Sequence, residues 1–242
     1  MKRILFVMND HAEVGKTSFS TALTTHLRSQ GLRTAFIAVV GDDERERPVK
    51  YTSVWNILDD HSPKKLLNWT KKHDVIVCDV QTGYADAVLE LHEAYDLDLE
   101  LGEMDIELTI ITPQVDEADC NDAIREIART LGDKAYYVVP RIPVDEFGSS
   151  LEAWEDSRAC RAMDSLGAEV LEIPRITDPV RKMLESEGLT LLDAMAVAPE
   201  SFTGELRMAM MKWWRAFERQ IEDASDYLLP ELVTRHGFRR SA

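Results

Sequence analysis

Residues 2–17 read KRILFVMNDHAEVGKT, and this stretch decides the fold. The apolar run at 3–8 (RILFVM) is short and continuous, as expected of a buried strand, and residues 17–30 follow with a helical pattern closed by Gly31. Between them, Gly15, Lys16 and Thr17 form the second half of a phosphate-binding loop, GxxxxGK[ST]. Such a loop needs inward-facing backbone N–H groups, a lysine for the β and γ phosphates, a hydroxyl for Mg²⁺ and a helix N-terminus facing the anion. The first half is irregular, because Asp10 stands at the leading glycine position. The placement between a strand and a helix carries the reading.

Outward from this stretch, apolar runs alternate with helical patterns. Strands are expected at 34–40, 74–78, 107–112, 135–139 and 169–173. Helices are expected at 85–95, 117–131, 151–166 and 179–186, with 54–72 mostly helical and broken at Ser62-Pro63. Continuous apolar strands separated by helices indicate a mostly parallel sheet of about six strands, covered by helices on both faces, so the fold class is α/β. Residues 1–200 are expected to form one phosphate-loop domain. Residues 201–242 form a helical appendage packed on it, too short to fold alone. There Leu206, Met210, Trp213, Trp214, Phe217 and Ile221 share one helix face, with Arg207, Lys212, Arg215 and Arg219 among them. Packing on the core is the expectation for residues 204–222, ahead of membrane contact.

An acid at the end of a later strand is the second element of a nucleotide site. Asp79 fits, with Gly83 four residues on giving a loop able to move against a γ-phosphate. Asp42 and Asp43, in the charged loop GDDERER (41–47), are candidates for orienting the attacking water, a solvated turn being the alternative.

The 242 residues carry 28 Lys+Arg against 44 Asp+Glu, a net charge of −16. Residues 73–124 contain no Lys or Arg and fifteen acids, so this block holds nearly all of that charge and the remainder is close to neutral. Direct DNA binding by the core is disfavoured, and a basic adaptor protein or peptide is the partner such a block attracts. No run approaches the ~18 apolar residues of a membrane span and the N-terminus lacks a signal-peptide pattern. Cys78, Cys120 and Cys160 have no paired spacing. A cytoplasmic, reduced chain is the expectation.

These residues resemble the ParA/MinD-type P-loop ATPases. The opening KRILFVMNDHAEVGKTSFSTALTTHLRSQGLRTAFI is similar to the family's first strand, KGGxGKT loop and second strand; DVIVCDVQTG (74–83) resembles its switch segment; EVLEIPRITDPVRKMLESEGLTL (169–191) resembles its late segment. The resemblance implies ATP and Mg²⁺ as ligands, a homodimer, and a nucleotide-dependent dimerisation switch in plasmid or DNA partition, transfer or positioning. By position, Lys16 resembles the phosphate-binding lysine, Thr17 the metal ligand, Asp79 the acid holding the metal through water, and Asp42 the acid that positions water. Glu13, Val14, Gly15 and Ser18 complete the nucleotide contacts.

The departures are specific. His11 stands at the signature lysine that reaches across the dimer, and Ala12-Glu13 replaces Gly-Gly. Imidazole is shorter than a lysine and mostly neutral near pH 7. A degenerate nucleotide-binding adaptor without efficient hydrolysis is therefore the alternative. The adenine-recognition Asn is absent, Val139 being followed by Pro140 and Arg141. Residues 143–176 are also similar to accessory ATPases of conjugative plasmids of the StbB and TraL type. EVGKT (13–17) is shared with dethiobiotin synthetases, but their catalytic Lys-Pro-Val is here Ala38-Val39-Val40, which disfavours that ligase chemistry.

Overall fold

A computed structural model describes residues 2–41, 50–59, 62–115, 117–141 and 154–230. Seven strands form one sheet: β1 (Lys2–Val7), β2 (Thr34–Val40), β3 (Ser53–Asn56), β4 (Val75–Val80), β5 (Ile106–Ile111), β6 (Tyr136–Arg141) and β7 (Glu169–Glu172). Their order is β3-β2-β4-β1-β5-β6-β7, and every pairing is parallel. The first strand made is thus the central one, with Val7 opposite Asp79 on one side and Ile111 on the other.

Parallel neighbours need crossover connections, and the helices supply them on both faces. On one face lie α2 (Ser62–Thr70), α3 (Ala85–Ala94), α4 (Leu97–Glu103), α5 (Ala118–Leu131) and α6 (Arg158–Ser165). They bury Leu66, Val88, Leu101, Ile124 and Met163 against Ile4, Phe6 and Ile76. On the other lie α1 (Lys16–Ser29), α7 (Asp178–Ser186), α8 (Leu191–Ala196), α9 (Gly204–Asp223) and α10 (Ser225–Leu228). Their core joins Leu23, Leu184, Met195 and Phe217 to Leu5, Val7 and Val77. Alternate residues of one strand therefore feed two separate cores.

Residues 54–72 differ from the sequence reading. Residues 53–56 are an edge strand in register with Ile37 to Val40, and the helix begins only at Ser62. Trp55 and Ile57 are buried beneath it, and their spacing of two is the strand's period. The sheet accordingly has seven strands rather than six. β4 also runs on through Asp79 to Val80, so Asp79 lies inside the strand.

All six apolar residues of the α9 face, Leu206 to Ile221, are buried. Phe217 contacts Phe19 of α1 edge-on at 5.9 Å and stacks on Trp213 at 5.1 Å. With that face against the sheet layer, none of it remains to lie on a bilayer. Among the described residues, no helix is long and apolar enough to cross a membrane.

Candidate nucleotide site

The loop between β1 and α1 opens at the C-terminal edge of the sheet, where parallel α/β sheets bind ligands. Asn9, buried, anchors its start: Nδ2 donates to the Pro113 carbonyl (3.0 Å) and reaches Cys120 Sγ (3.3 Å), while Oδ1 accepts from the His11 N–H (2.8 Å). The loop turns through two left-handed residues, Glu13 (φ 60) and Gly15 (φ 80). At Gly15, directly before α1, glycine takes this conformation without steric cost. Glu13 takes it at the second of the two glycine positions of the resembling motif. No side chain caps α1, so its first-turn N–H groups keep their anion-binding character.

The cleft beside the loop has a volume of about 380 Å³ and is lined by residues 13–18, by Val80, Gln81 and Thr82, and by Leu192. The structure thereby brings Glu13, Val14, Gly15, Lys16, Thr17 and Ser18 around one space. Lys16 is buried, and its ammonium donates to the carbonyls of Asn9 (2.6 Å) and His11 (2.9 Å) and to Thr82 Oγ1 (3.0 Å). Burial lowers its pKa, and the nearby carboxylates of Asp79 and Asp10 oppose that shift.

Asp79 is buried one residue before Val80, which lines the cleft. Oδ2 accepts from the Tyr51 hydroxyl (2.6 Å) and Oδ1 from Ser20 Oγ (3.3 Å), with the Thr17 hydroxyl near enough to favour the charged carboxylate. Burial raises its carboxyl above the ordinary range, against the pull of these three hydroxyls and of Lys16. No cluster of three or more His, Cys, Asp or Glu capable of holding a metal occurs among the described residues. A magnesium ion on a phosphate substrate needs no such cage, because phosphate oxygens and waters fill most of its octahedron. A threonine hydroxyl beside a buried acid fits that requirement.

His11 meets this centre through its backbone carbonyl, which accepts from Lys16. Its Nε2 is 3.0 Å from Glu117 Oε2, just before α5, so the imidazole is engaged within its own chain. Asp42 and Asp43 lie outside the described residues. Ala38, Val39 and Val40 are buried strand residues, and no amine stands at the place where a dethiobiotin synthetase has its lysine.

Ser20, Thr82, Tyr51 and Asp10 escaped the sequence reading as site groups. Ser20 is one helical turn past Lys16 and Thr82 precedes Gly83, so spacing could have flagged both. Tyr51 carried no signal, because strand order alone brings it to Asp79. A second cavity of about 460 Å³ shares Ser18 with the cleft and is walled by Phe19, Ile173, Ile176, Leu184, Trp213 and Phe217.

No protein-family model matches the chain, and no curated protein sequence matches it. Solved structures do. A chain of the MinC:MinD cell division protein complex of Aquifex aeolicus is 17% identical over 90% of this chain and 96% of that one, with a TM-score of 0.47. The cell division ATPase MinD of Pyrococcus furiosus is 14% identical over 90% of this chain and 99% of that one, with a TM-score of 0.51. At this identity the likeness to the Pyrococcus furiosus ATPase is one of architecture: the chain has an α/β, P-loop NTPase-like fold.

Proposed function

We propose that the chain binds Mg-ATP at residues 13–18 and acts as a ParA/MinD-type ATPase switch in positioning, partition or transfer of a cargo, the nucleotide governing dimerisation and partner docking. One observation carries this reading. Lys16 and Thr17, at the uncapped N-terminus of α1, stand close to the buried Asp79 carboxylate of the neighbouring strand β4. Lys16 would neutralise phosphate charge, and Thr17 with Asp79 would hold the magnesium, which supplies further charge neutralisation at the γ-phosphate. In the same reading Asp42 positions the attacking water.

Calorimetric titration with ATP, with and without Mg²⁺, tests it. Binding should be lost in Lys16→Ala, and its Mg²⁺ dependence should be lost in Asp79→Ala. Nucleotide affinity or hydrolysis unchanged in Lys16→Ala defeats the proposal.

A second reading, an adaptor that binds nucleotide but turns it over poorly, is favoured by the in-chain His11–Glu117 contact and by Glu13 within the loop. Measured turnover with the chain in excess over ATP separates the two. The narrower likeness to conjugative-plasmid ATPases rests partly on residues 143–153, which lie outside the described residues.

The partner belongs to the same proposal. Within the acidic block, Asp79 is interior, Asp74 pairs with Arg33 (2.6 Å) and Glu107 with Arg3. Asp86, Glu90, Glu93, Asp96, Glu100 and Glu103, on α3 and α4 and at the turn between them, face solvent. Tyr95, Leu99 and Met104 are exposed among them. That combination suits a basic, amphipathic adaptor segment.

A further inference from the structure

We infer that Asp10 is an internal competitor for the terminal phosphate, and that it sets the site's preference between nucleoside di- and triphosphates. This rests on reading the cleft as a nucleotide site. Asp10 occupies the leading glycine position of the phosphate loop, yet its carboxylate reaches the switch segment. Oδ1 accepts from the Gly83 N–H (2.9 Å) and the Ala85 N–H (3.2 Å). Tyr84, which precedes α3, makes no side-chain cap, so a carboxylate from the phosphate loop caps that ten-residue helix.

Lys16 holds the neighbouring residue through Thr82 Oγ1. The segment 81–84 is thus tied to the loop at adjacent residues, once through an anion and once through a cation. Gly83 sits at φ +90 with open space where a Cβ would be, so its glycine serves the backbone turn that presents its N–H. Thr82 lines the cleft and is held by Lys16, so the next residue's N–H stands beside the place where a terminal phosphate would meet that ammonium, and Asp10 already holds it.

Two anionic acceptors cannot share one donor cheaply. Two negative charges held on neighbouring sides of one N–H repel each other. A γ-phosphate must therefore displace Asp10 from Gly83. It must also draw Lys16 off Thr82, since all three ammonium contacts are already made within the chain. A diphosphate lacks the terminal group and leaves both ties intact.

The test titrates wild type, Asp10→Asn and Asp10→Gly with ADP and with a non-hydrolysable ATP analogue, both with Mg²⁺. The asparagine keeps an acceptor and removes the charge; the glycine removes both. The analogue should bind several-fold tighter in Asp10→Asn and on the order of tenfold tighter in Asp10→Gly, with ADP affinity within about twofold of wild type. In the nucleotide-free chain, amide exchange at Gly83 and Ala85 should quicken in Asp10→Gly. Equal changes for both nucleotides, or unchanged exchange at Gly83, overturns the inference while leaving nucleotide binding standing. Wild type and Lys16→Ala that both fail to bind ADP and the analogue overturn the nucleotide reading and this inference with it. If Asp10→Gly does not fold, Asp10→Asn alone decides through the ratio of the two affinities.

Discussion

Glu13 takes a left-handed backbone at a place where the resembling motif has glycine, and it lines the cleft proposed for the nucleotide. The left-handed conformation costs a non-glycine residue roughly 1–2 kcal/mol, and a glycine's extra freedom in the unfolded chain returns part of that. Glu13→Gly should therefore raise unfolding stability by up to about 1 kcal/mol and tighten nucleotide binding. A lower urea midpoint would refute the strain, and weaker nucleotide binding would refute the electrostatic part. A second residue sets a pH response. His92 is buried on α3, its Nε2 3.6 Å from Asp98 Oδ1, too long for a hydrogen bond. Burial holds its pKa below the ordinary 6.5, against the pull of Asp98, so the unfolded chain takes up this proton first as pH falls. Its contribution to stability is complete above pH 6.5 and declines as the pH drops from there toward the lower folded value. Denaturant midpoints between pH 7.5 and 5 should fall less steeply in His92→Gln than in wild type. Parallel curves would rule the imidazole out.

Elements were legible in the sequence where they were long or wholly buried. The strand at 34–40 and the α9 stripe both follow the period of the surface they pack against. Of the two four-residue edge strands, β7 was legible at 169–173 and β3 was not. Four-residue β3 sits at a sheet edge, and its pattern merges with apolar residues of the following turn. α4 is instructive, because Leu97-Asp98-Leu99-Glu100-Leu101 alternates as a strand would, yet the chain makes a helix. It buries Leu97 and Leu101, four apart, and leaves Leu99 65% exposed. Tertiary packing overrides the local alternation here. The two kinds of helix position predict opposite costs. Phe217→Ala, in a ring cluster on α9, should destabilise by about 3–5 kcal/mol. Leu99→Ala should change stability by no more than about 0.5 kcal/mol. Chemical denaturation of both variants checks the pair, and a large loss at Leu99 would contradict the α4 orientation. The site divides in the same way: Gly15, Lys16, Thr17 and Asp79 could be read from spacing, whereas the ties from Asp10 to Gly83 and from Tyr51 to Asp79 exist only once strand order joins distant segments.

At the scale of the molecule, the −16 resolves into parts with different fates. Ion pairs to Arg3 and Arg33 use some of it and Asp79 is buried in β4, so the charge free to act at a distance is concentrated on α3 and α4. A basic amphipathic peptide should bind that face, losing affinity as salt rises toward 0.5 M and on charge reversal at Glu90, Glu93 and Asp96. Fluorescence anisotropy with a labelled Lys/Arg-rich peptide would measure both. Binding of the true partner that ignores salt and these reversals would reduce the acids to a solvated surface. The same surface lies on the layer opposite α9, so the two helical layers can be altered independently, and truncation at the C-terminus should fail for reasons of core burial rather than of partner loss.

The central position of β1 also matters while the chain is being synthesised. β1 leaves the ribosome before both of its neighbours and has no second one until residue 111 has been made. Its Arg3 guanidinium waits longer still, for the Tyr227 carbonyl that it meets at 2.6 Å. At about 5–20 residues per second, this is an interval of roughly 10 to 50 seconds. Through that time the apolar run Ile4 to Val7 remains incompletely covered, so the element that ends as the middle of the sheet is the one exposed longest during synthesis.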